Sequence, residues 1–163
     1  MTHNLKGAIG AILDEYSKSI IELQHVIENI TPEDLATVVD SVTTNPDCKS
    51  IQTVLTHVVS SGYSYAIYIE ELKNVSTRKR QKNTRDSAVE YSNDLDHVLA
   101  FTAETFSNFE DAELEEFDEA KKIKTSWGQY YDIEQMMEHA IVHILRHRRQ
   151  IEKFKLLVQY KIS

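Results

Sequence analysis

Several residue types are scarce in this sequence, and each scarcity argues against a class of protein. Only one cysteine occurs, Cys48, so no disulfide can form within the chain, and a reducing, cytoplasmic location is the expectation. Glycine and proline occur only 4 times and 2 times, which favours long helices over many turns. No apolar run approaches the roughly 18 residues needed to span a membrane. The N-terminal segment becomes polar and acidic too early for a signal peptide.

The chain also lacks an excess of basic charge. It has 18 Lys and Arg residues against 26 Asp and Glu, which gives a net charge of -8. Nucleic acids and anionic membranes bind basic surfaces, so we expect neither as a partner. The one basic stretch, STRKRQKNTR at residues 76–85, is interpreted as a solvated loop, although a phosphate contact there stays open.

Apolar residues recur at intervals of three and four along four segments, which is the pattern of amphipathic helices. The predicted long helices span residues 5–29, 50–73, 86–108 and 131–160. A cap at Thr31-Pro32 predicts a short helix or turn that ends near Asp40. No strand pattern is visible. We therefore predict an all-α four-helix bundle in which residues 1–163 form a single domain.

Two local features refine this prediction. Gly62 lies inside the second helix, where it can allow a neighbouring helix to approach closely, and Val89 is expected to face inward from the third helix. Residues 109–128 form a connection of a length that is uncommon unless it crosses the bundle or lines a site.

Three of the seven histidines, His139, His143 and His147, occur at intervals of four in the predicted last helix. Successive members lie about 40° apart around that helix, on the face that also carries Met136 and Phe154. Burying neighbouring imidazoles is unfavourable unless each ring nitrogen has a partner, and one metal ion can satisfy two of them. The spacing of His143 and His147 therefore indicates a metal site, or else a polar cluster that faces a hydrated groove.

A third ligand in a helical bundle normally comes from a facing helix, and His57 in the second helix is the best candidate. Taken alone, His57 fits a hydrogen-bonded histidine at the edge of the core better than a ligand, and the same holds for His139. The other histidines fit a site less well: His25 is expected to be exposed, His97 has no histidine at helical spacing, and His3 is near the terminus.

The order of these histidines resembles the DinB/YfiT-like family of bacterial proteins. The last helix carries His143-x-x-x-His147 followed by Arg148-Arg149-Gln150, where that family commonly has H-x3-H-R-G-Q, and THVVSSGYSY around His57 looks like its second-helix element. The resemblance covers nearly the whole chain. It implies an up-down-down-up four-helix bundle and a divalent metal, zinc or nickel above all, bound by His57, His143 and His147.

Two departures from the family pattern concern the pocket. Arg149 replaces the usual glycine, and His139 is an additional histidine one turn before the motif. Neither removes a ligand, but both imply a substrate different from those of characterised members.

The resemblance also implies a function. Characterised relatives include bacillithiol transferases and a mycothiol-dependent maleylpyruvate isomerase, and members often form dimers. We therefore expect a homodimeric, metal-dependent enzyme that transfers a low-molecular-weight thiol to a small-molecule substrate, or a hydrolase at the same metal. The alternatives are a non-catalytic stress-response protein that binds a metal or a small ligand, and a structural helical dimer whose histidines only pack.

Three imidazole ligands leave one position of a tetrahedral ion open for water or a thiolate. The residues expected to line the pocket beside it are Tyr65, Tyr68, Trp127, Tyr130 and His139, although aromatic residues on helices more often belong to the core. No catalytic residue is assigned. Cys48 has no identifiable neighbouring base and is not predicted to be a nucleophile.

Overall fold

A computed structural model of the protein describes residues 6–74 and 81–160. The helices are α1 (Gly7–Ile27), α2 (Pro32–Ala36), α3 (Ile51–Glu71), α4 (Ala88–Phe106) and α5 (Ile133–Tyr160), and two short strands are β1 (Ile123–Lys124) and β2 (Tyr130–Tyr131). The four long helices confirm the all-α prediction, and each begins and ends within two residues of its predicted bounds. His3 and residues 76–80 of the basic stretch lie outside the described residues.

Side-chain caps explain where three of the helices begin. Ser50 and Thr53 form a capping box at the start of α3, and the Ser87 side chain accepts from the Glu90 N–H at the start of α4. Thr31 caps α2 in the predicted way. That helix ends at Ala36, so the prediction that it continues to near Asp40 was wrong. The backbone becomes extended at Thr37, whose β-branched side chain suits that conformation.

Contacts between the long helices establish the up-down-down-up arrangement. Residue numbers rise together across the α3–α4 pair and across the α1–α5 pair, so each pair is parallel, whereas they run in opposite directions between α3 and α5. For α3 and α4 the contacts are Gln52–Arg85 and Glu70–Thr105. For α1 and α5 they are Glu22–Arg148 and Val26–Lys155. For α3 and α5 they are His57–His147 and Tyr65–His139. The bundle topology is therefore the one that the resemblance implied.

The core is built from apolar residues of all four long helices, including Ile20, Leu55, Leu95 and Met136, each at most 1% exposed. The predicted inward position of Val89 was wrong, since 67% of its side chain is exposed. The buried face of α4 begins with Ala88 and Tyr91 instead.

Gly62 allows α3 and α4 to approach each other closely, as predicted. A Cβ at this position would lie 2.6 Å from Val98 Cγ1 and 3.2 Å from the Tyr16 hydroxyl oxygen. Any side chain larger than hydrogen would therefore displace one of these buried neighbours.

The connection between α4 and α5 both crosses the end of the bundle and lines a site. The Asp111 carboxylate accepts from the N–H groups of Ala8 and Ile9 at 2.9 Å, so it caps α1. Further on, β1 and β2 pair in antiparallel fashion, with Ile123 opposite Tyr131. The expectation of no strands was wrong on this point, because two-residue strands are too short to show an alternating pattern.

None of the helices in the described ranges is both long enough and apolar enough to cross a membrane.

Candidate metal centre

The structure brings His57, His143 and His147 together between α3 and α5. The Nε2 atoms of His57 and His143 are 2.9 Å apart, and one ring nitrogen from each of the three residues lies within 4.8 Å of the others. Because α3 packs against α5 and residues four apart lie on the same face of a helix, one residue of α3 can face two residues of α5 that are one turn apart. The three histidines that the sequence predicted to act together are therefore neighbours.

His147 is held by its other ring nitrogen. Its Nδ1 lies 2.8 Å from Gln150 Oε1, and since that oxygen can only accept, Nδ1 carries the proton and donates. The Nε2 atom of His147 is then unprotonated and available to a metal. Gln150 was part of the motif in the sequence, but nothing in its spacing assigned it this role.

His57 has a carboxylate beside its other ring nitrogen. The Nδ1 atom lies 3.4 Å from Asp47 Oδ2, and Asp47 also forms an ion pair with Lys82. The Asp47 backbone is fixed by its N–H, which donates to the Asn45 side chain at 3.0 Å. Sequence reasoning missed Asp47, because the turn in which it lies showed only the composition of a loop.

All three imidazoles are held in the neutral form that binds metal ions. Burial, followed by the neighbouring His147 and His57, lowers the pKa of His143 to about 2. Burial is also the main cause that lowers the pKa of His57 and of His147. In addition, His143 Nδ1 is buried with no hydrogen-bond partner among the described residues.

This arrangement fits a divalent metal ion. Imidazole nitrogens suit zinc, nickel, copper and iron, and ligand nitrogens on a tetrahedral ion with bonds of ~2.0–2.1 Å are about 3.3 Å apart. In the structure the Nε2 atoms of His57 and His143 are 2.9 Å apart, and no two of the three ligand nitrogens are more than 4.8 Å apart. The separation required by the ion lies between these two values. The three nitrogens are therefore spaced closely enough to share one ion.

Comparison with protein families gives a match to the model of the DinB family over residues 1–154. The chain belongs to the DinB family. The matched region includes His57 and the pair on α5, and it confirms the resemblance seen in the sequence. Comparison with curated proteins gave no match.

A cleft of about 370 Å³ opens beside the triad of this DinB-family protein. Serine and aromatic side chains share its wall with two of the three histidines, and the lining residues are His57, Ser61, Ser64, Tyr65, Tyr68, Ser126, Trp127, His139 and His143. Four of the five predicted pocket residues are therefore present. Tyr130 is absent from this lining: it lies in β2 with 41% of its surface exposed, so that prediction was wrong.

The hairpin between β1 and β2 positions Trp127 in the cleft. Gly128 follows it with a φ of 88°, a left-handed conformation that glycine adopts without strain. The Ser126 N–H donates to the Tyr68 hydroxyl at 3.0 Å, which fixes the hairpin to α3. The Trp127 ring then stacks on His139, with centroids 5.1 Å apart and planes 21° apart.

His139 belongs to this aromatic wall and lies outside the group of three. Its Nδ1 is 3.5 Å from the Tyr131 hydroxyl, and its ring is 5.4 Å from that of Tyr65. Burial raises the pKa of Tyr65, so its hydroxyl stays protonated at neutral pH. A buried hydroxyl beside His139 and His143 could donate a hydrogen bond to a ligand in the cleft.

The other residues considered in the sequence do not line the triad cleft. His25 and His97 are exposed, the first as predicted. Cys48 is a partly buried free cysteine next to Asp47 in the chain. Arg149, which replaces the family glycine, is exposed on α5 and lines neither this cleft nor a second cleft, of about 390 Å³, that His139 and His143 also line.

Proposed function

We propose that this protein binds one divalent metal ion through His57, His143 and His147 and uses it in the transfer of a low-molecular-weight thiol to a small-molecule substrate. The observation that carries the proposal is the convergence of three neutral imidazoles beside a cleft of about 370 Å³. A cleft of that size is at the small end of the range for ligand sites. Membership of the DinB family agrees with a metal-binding role.

The residues around the triad have distinct parts in this proposal. Gln150 and Asp47 orient the rings of His147 and His57, and the buried surroundings of His143 keep it neutral. When bound, zinc or nickel would supply positive charge that favours the thiolate form of sulfur and polarises an electrophile. Tyr65 would donate a hydrogen bond, or a proton, at the wall of the cleft.

Hydrolysis at the same metal is a variant of the proposal. A hydrolase usually places a carboxylate or another base where it can take a proton from water. The lining of the triad cleft includes no Asp or Glu among the described residues, so His139 is the candidate for that base. Thiol transfer needs no such base once the metal favours the thiolate, and we therefore prefer it. A stress-response protein that holds a metal or small ligand without turnover is the alternative from a different class.

The first experiment measures metal content by mass spectrometry on untagged protein purified without chelator. We expect about one equivalent of a transition metal per chain, lost in the His57→Ala, His143→Ala and His147→Ala variants. His97→Ala changes an exposed histidine on α4 and should keep the metal. No metal in the wild type, even after reconstitution with divalent ions, would contradict the proposal, as would full occupancy in any of the three variants.

The second part of the proposal concerns catalysis and needs its own measurement. Wild-type protein loaded with metal should transfer a thiol to an electrophilic substrate in a screen, and His147→Ala should not. If the metal binds but no thiol or water-dependent turnover is found, the non-catalytic binding protein becomes the better description. A homodimer and a cytoplasmic location belong to the same proposal, and both rest on the sequence alone.

A further inference from the structure

Arg146 lies at the edge of the triad without an acidic partner. It precedes His147 on α5 and lines a cleft of about 390 Å³ together with His139 and His143. Among the described residues no carboxylate forms an ion pair with it, whereas its neighbour Arg148 pairs with Glu22 and Glu152. Arg146 is exposed, so in a chain with a net charge of -8 it offers a positive charge beside the site to which an anionic ligand can bind.

The positive charge of Arg146 acts on the whole triad. It contributes to lowering the pKa of His57, of His143 and of His147. Arg146 also directly precedes His147 on α5 and shares the lining of one cleft with His143, so its guanidinium lies at the rim of the site. A molecule that coordinates a cation at the triad would lie near a second positive charge, and a negative group on that molecule would be stabilised there.

We propose that the small molecule that coordinates the metal also carries a carboxylate, and that Arg146 binds this carboxylate. The inference rests on the proposed function, since it takes the triad as the place where the ligand is coordinated. The planar guanidinium presents paired N–H donors that match the two oxygens of a carboxylate. His139 and His143 line both this cleft and the triad cleft, so the two clefts adjoin, and a ligand coordinated at the triad can extend past His143 to Arg146.

The charges along the cleft also set the orientation of the ligand. Glu138 lines the same cleft, and it is eight residues before Arg146, which corresponds to about 12 Å along the helix. A carboxylate at the Glu138 end would be repelled, whereas at the Arg146 end it is attracted. Combined with thiol transfer, this makes the ligand class a small thiol whose carboxylate lies on the side of the metal nearer Arg146.

Two probes that differ in one charge test the inference. The protein is loaded with cobalt(II), and sulfur coordination is followed by the sulfur-to-cobalt charge-transfer absorption. Titrations use 3-mercaptopropionate and its neutral amide, 3-mercaptopropionamide. We expect the wild type to prefer the carboxylate by about tenfold, the size of one hydrogen bond between charged groups.

Arg146→Gln should remove this preference by weakening the binding of 3-mercaptopropionate while leaving that of the amide unchanged. Arg149→Gln is the matched control: it removes the same charge three residues away, at a position that lines neither cleft, and it should keep the preference. Measuring the ratio of the two affinities within each protein cancels any general effect of a variant on the metal site.

The outcomes separate this inference from the proposed function. If both probes give the charge-transfer band with equal affinity, or if Arg146→Gln keeps the preference, Arg146 does not bind the carboxylate and thiol coordination still stands. If neither probe gives a band on the cobalt-loaded wild type, the thiol chemistry itself is wrong, and this inference is overturned with it.

Discussion

At the scale of single residues, the three histidines of the triad differ in what surrounds the Nδ1 atom of each ring. His147 Nδ1 is 2.8 Å from Gln150, His57 Nδ1 is 3.4 Å from Asp47, and His143 Nδ1 is buried without a partner among the described residues. Such outer contacts orient a metal-binding ring and raise the basicity of its ligand nitrogen. They are therefore where the affinity of the site can be tuned without changing a ligand.

Replacement of Asp47 by Asn should weaken metal binding by about 10–100-fold, the usual effect of losing an outer carboxylate. The amide keeps the size of the side chain but loses the negative charge beside His57 Nδ1. The measurement is a competition titration against a chromophoric chelator at pH 7.5.

Lys82→Met is the control for this prediction. It removes the ion pair between Lys82 and Asp47 but leaves the carboxylate next to His57, so metal affinity should stay the same or rise. If Asp47→Asn and Lys82→Met weakened the metal equally, the ion pair on the loop, rather than the contact with the histidine, would be the important feature.

Sequence reasoning reached the ligands at this scale but not their supports. His143 and His147 could be identified from the sequence because they are four residues apart on an apolar helix face, which is a local pattern. Asp47 contacts His57 only because the loop before α3 folds back on that helix, and such a contact between separate segments leaves no periodic signal. Gln150 belongs to the sequence motif, but its hydrogen bond to His147 depends on a side-chain rotamer that the spacing of residues does not determine.

At the scale of the helices, the close packing of α3 against α4 depends on Gly62. Replacement of Gly62 by Ala adds helix propensity of about 1 kcal/mol, but its Cβ would lie 2.6 Å from Val98 Cγ1. Val98 is a stiff β-branched residue with 1% of its surface exposed, and overpacking typically costs about 1–3 kcal/mol. We expect a net loss of roughly 1 kcal/mol in the free energy of unfolding, measured by urea denaturation of metal-free protein.

A double-mutant cycle shows whether this loss arises from the predicted clash. In the background of Val98→Ala, which removes the methyl group that the new Cβ would meet, Gly62→Ala should cost less or should stabilise. A cost that is the same in both backgrounds would mean that contact with Val98 is not its cause.

The helices themselves were the most predictable part of the structure, because long amphipathic patterns report directly on which face is buried. The errors occurred where the signal is short. Val89, next to the start of α4, is exposed because the buried face begins with Ala88 and Tyr91. The strands β1 and β2 have two residues each, and the exposed position of Tyr130 follows from its place in that hairpin. That residues 1–163 form a single domain stays a prediction.

At the scale of the whole molecule, the site joins two helices that are far apart in the sequence, so α3 and α5 must pack together before the three imidazoles meet. In the bundle, α3 contributes His57 and α5 contributes the other two histidines. Assembly therefore moves three titratable rings from water to positions that are partly buried for His57 and His143 and buried for His147, and their pKa values fall in the process. This couples the stability of the metal-free protein to pH.

The metal-free protein should lose stability as the pH falls below about 6.5, the ordinary pKa of histidine. Below that pH the unfolded chain takes up protons that folded His143 does not bind until the pH approaches its own pKa of about 2. Because the unfolded state then binds more protons, the free energy of unfolding decreases by at most about 1.4 kcal/mol per pH unit for each such histidine. Above pH 7.5 these groups are neutral in both states and contribute nothing.

Urea denaturation at pH 7.5 and pH 5.5 in the presence of a chelator measures this effect. The wild type should be less stable at pH 5.5, and His143→Gln should lose less stability between the two pH values, because it lacks the ring whose protonation favours unfolding. The matched control is His97→Gln, at an exposed position on α4, which should keep the wild-type difference. An equal loss in wild type and His143→Gln would show that other groups cause the acid sensitivity, and that His143 is not held neutral by the folded bundle.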